Sequence, residues 1–230
     1  MHIQATGNVY RAKAVTGIKT VTDILMFGAG GHAAAVSDVI RDIEDFNISG
    51  VIDDSPSLQG KCLFGSTVIG GRQQLYMNGL DTMAIFLGIG DNLTRARIAR
   101  SLGGREFPVL VHPTAHIGTN VSLGEGTVVM PRAIIENGAR VGAHCIINNG
   151  AVVGHGSVVG DYSHVSGNAV LAGGVNLGER CLIGIGGCVL PNVAIGQDSI
   201  VSAGSVANRS APERHYIMSP GSRIFRRFEK

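Results

Sequence analysis

Tryptophan is absent and aromatic residues make up 5% of the 230 positions, which excludes a globule organised around large rings. Charge is sparse too: charged residues are 16% of the chain and the net charge is +2. That balance supplies no field for holding nucleic acid or an anionic membrane surface. No apolar run approaches the roughly 20 residues of a membrane span. Residues 1–22 carry basic side chains but no apolar stretch suited to a signal peptide. A cytoplasmic chain with a loosely ordered extension over 1–22 is expected. The four cysteines include no C-x-x-C pair, so neither a zinc knuckle nor a redox motif is supported.

What the sequence does have is glycine, 34 of them, and a period. From Ile117 to Val201 an aliphatic residue occupies every sixth position: Ile117, Leu123, Val129, Ile135, Val141, Ile147 and onward without a break. Four places after each stands a small or short residue, such as Thr127, Ala133, Ala139, Cys145, Ala151 and Ser157. One apolar position in six buries neither a lone helix nor a flat strand. A triangular coil of three hexads per turn does bury it, because each aliphatic then stacks on its counterpart in the next turn. Fifteen hexads predict about five turns. Glycine directly after the aliphatic (Gly118, Gly124, Gly142, Gly154, Gly160, Gly178, Gly184, Gly196) is expected to supply unusual backbone angles. Cys145 and Cys181 share an inward column two turns apart, roughly 9 to 10 Å at strand spacing, beyond disulfide reach. Both read as buried small hydrophobes.

The first half reads differently. Ile24 to Phe27 form a buried strand, followed by Gly28-Ala29-Gly30-Gly31-His32 and a helix over Ala33 to Ile40. A strand at Gly50-Val51-Ile52 ends in Asp53-Asp54. After an irregular stretch containing Pro56 and Gly60, Met83 to Leu87 form a strand leading to Gly88-Ile89-Gly90-Asp91-Asn92 and a helix from Leu93 to Leu102. Pro108 to Val111 close the series as a last strand. Such alternation predicts a small parallel α/β sheet. Strand, glycine turn, helix, strand and acidic pair would place a phosphate at a helix N-terminus and a carboxylate near a ribose. A unit of about ninety residues suits one nucleotide better than two. The expected division is an extension at 1–22, an α/β domain at 23–111, a coil at 112–210 and a tail at 211–230.

Taken together, Gly-Ala-Gly-Gly-His, Asp-Asp, Gly-Ile-Gly-Asp-Asn and the unbroken hexapeptides resemble the sugar O-acyltransferases typified by sialic acid O-acetyltransferases and UDP-4-amino-sugar N-acetyltransferases. The likeness covers about residues 24 to 222. It implies a Rossmann-like first domain and a left-handed parallel β-helix, against the usual right-handed crossover. It also implies a homotrimer, acetyl-CoA as acyl donor without a metal, and a UDP-linked 4-amino-deoxy-sugar or a sialic-acid-type sugar as acceptor. Gly28, Gly30, Gly31, His32, Asp53, Asp54, Gly90, Asp91 and Asn92 become substrate-binding candidates. The stretch from Asn148 to His155 resembles the family's catalytic segment, with His155 as base and Asn148 as a shaping residue. His164 matches a histidine that contacts acetyl-CoA, and Gly173, Gly174, Gly184, Ile185 and Gly186 would lie along the pantetheine arm. The basic tail (Pro220, Gly221, Arg223, Arg226, Arg227, Lys230) would cross the last coils and approach coenzyme A phosphates.

Position supports His155 independently, since it falls two places after the inward Val153 and should project from a corner. Histidine is the natural base near neutral pH for acyl transfer to an amine or hydroxyl. One departure stands out: the family usually has Asp or Glu directly after this histidine, to orient the ring, and this chain has Gly156. Gly156 therefore motivates a rival, a non-catalytic nucleotide-sugar-binding protein. A zinc enzyme of the γ-carbonic anhydrase type shares the coil but needs three converging histidines. Here His155 and His164 lie nine apart, and His144 occupies an unmatched position.

Overall fold

The computed structural model describes residues 21–77 and 79–218. The expected extension, apart from its last two residues, and the named tail positions lie outside the described residues. Among the described residues no helix is long and apolar enough to cross a membrane.

The α/β domain contains β1 (Thr22–Phe27), α1 (Gly31–Ile43), β2 (Phe46–Ile52), β3 (Cys62–Leu63), β4 (Ser66–Gly70), β5 (Ala84–Leu87) and α2 (Asn92–Ser101). Its sheet order is β3-β4-β2-β1-β5. β1 lies at the centre of the parallel part, paired with β2 on one side and β5 on the other. Successive side chains of a strand point to opposite faces, and here both faces are covered. Ile24 and Met26 pack with Val36, Val39 and Ile40 of α1, whereas Leu25 and Phe27 pack with Ile98 and Ala99 of α2. That double burial is why β1 reads as a continuous apolar run. The stretch expected to be irregular contains the antiparallel hairpin β3-β4. Its two turn residues, Phe64 (φ 56°) and Gly65 (φ 78°), are both left-handed, the backbone that suits a two-residue hairpin.

The second half is a left-handed parallel β-helix of two-residue strands on three faces. The first face starts with Leu110–Val111, the second with His116–Ile117 and the third with Ser122–Leu123. From Leu110 to Ala207 pairing runs eighteen residues ahead, for example Ile135 with Val153 and Val153 with Leu171. Leu123, Ile135, Val153, Leu171 and Ile183 are at most 1% exposed. Full burial of each such side chain contributes about 1.5–3 kcal/mol. The strand expected to close the α/β domain at Pro108 to Val111 is instead the coil's first rung, Leu110–Val111, paired with Val128–Val129. At the other end Ala207 is still inward and 1% exposed. The last rung is then shortened: Val201 pairs with Ile217, sixteen residues on.

The role expected for the glycines is corrected. Left-handed backbone falls three places after each aliphatic, at Asn120, Gly126, Arg132, Gly138, His144, Gly150, Gly156, Tyr162 and Asn168. The glycine directly after the aliphatic is there for space. A Cβ on Gly124 would lie 2.5 Å from the main-chain nitrogen of Ala143, and one on Gly184 2.5 Å from that of Ala203. Cys145 and Cys181 are free and buried, in one column with Thr127, Ser163 and Ser199. The column is a polar ladder: the Ser163 hydroxyl donates to the Gly178 carbonyl at 2.8 Å and accepts the Cys181 N–H at 3.0 Å. The two thiols join it, donating to Gly160 (3.2 Å) and Gly196 (3.1 Å) carbonyls. Burial pushes Cys145 up to about 12, so it stays a thiol donor.

The α/β domain sits on the outer side of the first face. Leu110, Val128, Met130 and Ile146 share one apolar core with Ala33, Val36 and Ile40 of α1. Polar fasteners surround that contact. His112 of the coil meets Asp42 of α1 at 3.1 Å. Arg95 of α2 is 1% exposed and donates to the carbonyls of His144 (2.8 Å), Tyr162 (2.7 Å), Ile89 (2.9 Å) and Gly90 (3.1 Å).

Candidate active site

At the N-terminal end of α1 the glycine turn is open. Nothing lies within 4 Å of a Cβ built on Gly30 or Gly31. Gly30 caps α1 without a side-chain bond, so the first N–H groups of the helix have no side-chain acceptor. Gly28 has φ 105°, and a Cβ there would meet Ile89 at 2.7 Å. The remaining substrate-binding candidates have work inside the protein. Asp53 accepts the Ala29 N–H at 2.9 Å and the Ser55 N–H at 2.9 Å, holding the turn in shape. Asp54 is paired with Arg72, which also holds its carboxyl below the usual range. Asp91 caps α2 by accepting the Thr94 N–H at 2.8 Å.

Asn92 is engaged at the junction between the domains. Its amide donates to the Cys181 carbonyl at 3.0 Å and accepts from Arg95 at 2.7 Å, so it fastens the two domains together. A side chain spent in this way has little left to offer a ligand.

His32, the second residue of α1, faces the coil. Its ring lies 6.4 Å from that of His164 at the start of the strand His164–Val165 on the first face. Burial pushes His32 down to about 4 and His164 down to about 3, with Arg95 adding to both. Both rings are therefore neutral at physiological pH. Asn148 completes this group. Its Oδ1 accepts the Asn149 N–H at 2.8 Å, which turns Nδ2 toward His164 Nε2 at 3.1 Å. Nε2 is then an acceptor, and the proton of His164 resides on Nδ1.

His155 is elsewhere. It is exposed at the corner between the second and third faces, between the strands Val152–Val153 and Val158–Val159. The first face, with His164, is opposite that corner. Asn148 thus partners His164 within the chain and not His155. Gly173 lies one turn above His155 and makes room for it: a Cβ on Gly173 would come within 2.4 Å of the imidazole Nε2. Gly174 has φ 72° and lies beneath Asn192. Of the glycines expected along the pantetheine arm, Gly173 therefore serves the histidine and Gly184 serves coil packing. Gly186 is open, beside Ile185, which is 68% exposed.

Two features of the site escaped the sequence. Glu136, one turn below His155, accepts the His155 main-chain N–H at 2.8 Å through Oε2. Arg95 was legible in principle, as a cation in the apolar register of α2 with Ile98, Ala99 and Leu102. His144 is buried against Phe107 (4.7 Å) and stacked on Tyr162 (5.3 Å). Among the described residues no group of three His, Cys, Asp or Glu side chains converges as a metal site would require.

Comparison with known proteins agrees with this two-part build. Residues 23–102 match the PglD N-terminal domain and residues 106–205 the GMPPB C-terminal domain. UDP-N-acetylbacillosamine N-acetyltransferase of Bacillus subtilis (strain 168) is 35% identical over 121 residues, covering 47% of this chain and 51% of that protein. The chain thus spans about half the length of that curated relative. A histidine-to-asparagine mutant of perosamine N-acetyltransferase from Caulobacter crescentus, solved with CoA and GDP-perosamine, is similar at TM-score 0.80 and 32% identity. That match covers 87% of this chain and 95% of the other. The acetyltransferase domain of PglB from Neisseria gonorrhoeae FA1090 is similar at TM-score 0.79 and 27% identity, covering 86% and 96%. With a PglD-type α/β domain leading into an unbroken hexapeptide coil, and a 32% identical relative matched over nearly its whole length, the chain belongs to the hexapeptide sugar acyltransferase family.

Proposed function

We propose that this protein transfers acetyl from acetyl-CoA to the amino group of a nucleotide-linked 4-amino-deoxy-sugar, with His155 as general base, at a site completed between copies of the chain in a homotrimer. The observation that carries the reading is the placement of two complementary groups on either side of one face. His155 stands at one edge of the second face and Asn148, bonded to His164, at the other. Between them the outward side chains of that face form an apolar column: Ile134, Val152, Val170, Cys188 and Val206. Turning the column toward a three-fold axis buries it. The same rotation brings the His155 corner of one copy against the Asn148 corner of the next.

The chemistry follows from the protonation states. The neutral amine attacks the thioester carbonyl and forms the new C–N bond, and His155 takes the proton the nitrogen loses. The developing oxyanion accepts from the Nδ1–H of a neutral His164 and from main-chain N–H groups. The C–S bond then breaks and the CoA thiolate leaves with the electron pair, to be protonated. In this reading the sugar's diphosphate lies at Gly30 and Gly31, and Asp53 keeps that turn in shape. The pantetheine arm runs past Ile185 and Gly186.

The test is thiol release from acetyl-CoA with a panel of UDP- and GDP-linked 4-amino-sugars, the same nucleotide-sugars without the amine, and free sialic acid. Release only with an amino-sugar is expected, with His155→Ala slower by about 10²–10⁴-fold. Release with sialic acid instead would establish O-acetylation, and nucleotide-sugar binding without release would leave a binding protein.

A further inference from the structure

A histidine acting as base needs a second group to hold its ring and fix its tautomer, usually a carboxylate at Nδ1. The residue after His155 is Gly156, which has no side chain and, at φ 65°, forms the left-handed corner. Yet a carboxylate is in place. Glu136 comes from the turn below, and its Oε2 holds the His155 N–H at 2.8 Å while Oε1 has no partner among the described residues. The ring leans the other way at its far edge: Nε2, Cε1 and Cδ2 are the imidazole atoms nearest Gly173. Among the described residues no ion pair joins Glu136 to the ring: its carboxylate is anchored at the His155 main-chain N–H, one turn below a ring that leans toward Gly173, and its second oxygen is uncommitted. Competition is slight. Over 134–141, 152–159 and 170–177, the three turns that build this corner, the ionisable side chains are Glu136, Arg140 and His155 alone.

Resting on the reading of His155 as base, we infer that Glu136 is its positioning residue: the free carboxylate oxygen accepts from Nδ1–H, leaving Nε2 as the atom that takes the substrate's proton. The orienting acid is thus supplied from the rung beneath rather than from the next residue in the chain. The corner backbone allows a rescue. Left-handed positions elsewhere in the coil carry Asn120, Asn168 and Asp198, and nothing lies within 4 Å of a Cβ on Gly156. Asp is among the residues that tolerate this backbone.

The experiment reads the His155 ring tautomer by ¹⁵N NMR at alkaline pH, assigned with His155→Asn, in wild type, Glu136→Gln and Glu136→Gln/Gly156→Asp. The expected result is a predominantly Nδ1-protonated ring in wild type, loss of that preference in Glu136→Gln, and its return in the double variant. Thiol release with the responding amino-sugar should follow the same order, with kcat down roughly 10-fold or more in Glu136→Gln and KM little changed. An Nε2-protonated ring in wild type, or a tautomer indifferent to Glu136→Gln, would overturn the inference. Failure of the acetyltransferase reading looks different: no wild-type release with any acceptor, while the tautomer still responds to Glu136.

Discussion

His155 and His164 are nine residues apart in the chain and opposite in surroundings. His155 is exposed at a corner, with a glycine above its ring and a carboxylate at its main chain. His164 is pushed down to about 3 under the α/β domain, bonded to Asn148 and faced by His32. The first surroundings suit a group that gains and loses a proton in each turnover. The second suit a group that must stay neutral and donate a hydrogen bond. Under the proposed function one residue type thus takes two roles, divided by whether the first domain covers it.

The largest effect that tests this division is a recovery of activity. His155→Ala and His164→Ala, each nearly inactive alone, should regain roughly a quarter of the wild-type rate when mixed and reassembled, because in a closed three-fold ring one in four interfaces then combines two intact halves. A mixture as inactive as its parts would mean that both histidines serve a site from the same copy, and would break the picture of a site shared across the interface.

The second test is acid. His32, His144 and His164 are held down to about 4, 4 and 3 by burial first and Arg95 second. The unfolded chain binds these protons below about pH 6.5, whereas the folded chain binds them only near 3 to 4. Stability is therefore complete above pH 6.5 and falls as the pH drops from there through about 4. Each ring contributes a slope of about 1.4 kcal/mol per pH unit. Urea titrations across that range should show the decline, with a shallower slope in His164→Asn.

Smaller still is the effect expected from the fastener between the domains. Arg95→Met strands four carbonyls but relieves the burial of a cation, a net loss of about 3 kcal/mol by denaturant titration. If the loss is under 1 kcal/mol, apolar packing alone holds the first domain over His164.

Most of the coil was legible because its signal is local and repeated: a period of six needs no distant partner to be recognised. Its stated reasons were partly misplaced, since the glycines after each aliphatic answer to backbone eighteen residues away and not to their own angles. The α/β elements were legible by pattern, but the hairpin at 62–70 was not, because its left-handed pair is Phe64-Gly65 and carries no Asn-Gly signal. Least legible was the junction. Asn92 sits beside a glycine turn and so invites a ligand-binding reading, whereas Arg95 draws none. The atoms they bond include carbonyls 49 to 89 residues away. Nothing in a single sequence pairs those positions. His155 was singled out by motif and Glu136 was not: the eighteen-residue turn already puts position 136 on the rung beneath, but the sequence does not say which side chain there turns toward the histidine.

The shortened last rung carries a consequence for how strictly the period must be kept. Every rung of this coil is a template for the next. Between Val201 and Ile217 the step falls from eighteen residues to sixteen, yet Ile217 still packs on the coil's core, so the two residues are lost from the corner between Ala207 and Ala211 and the strand keeps its register. A coil built on a strict period thus tolerates a shorter corner without giving up the column of side chains inside it.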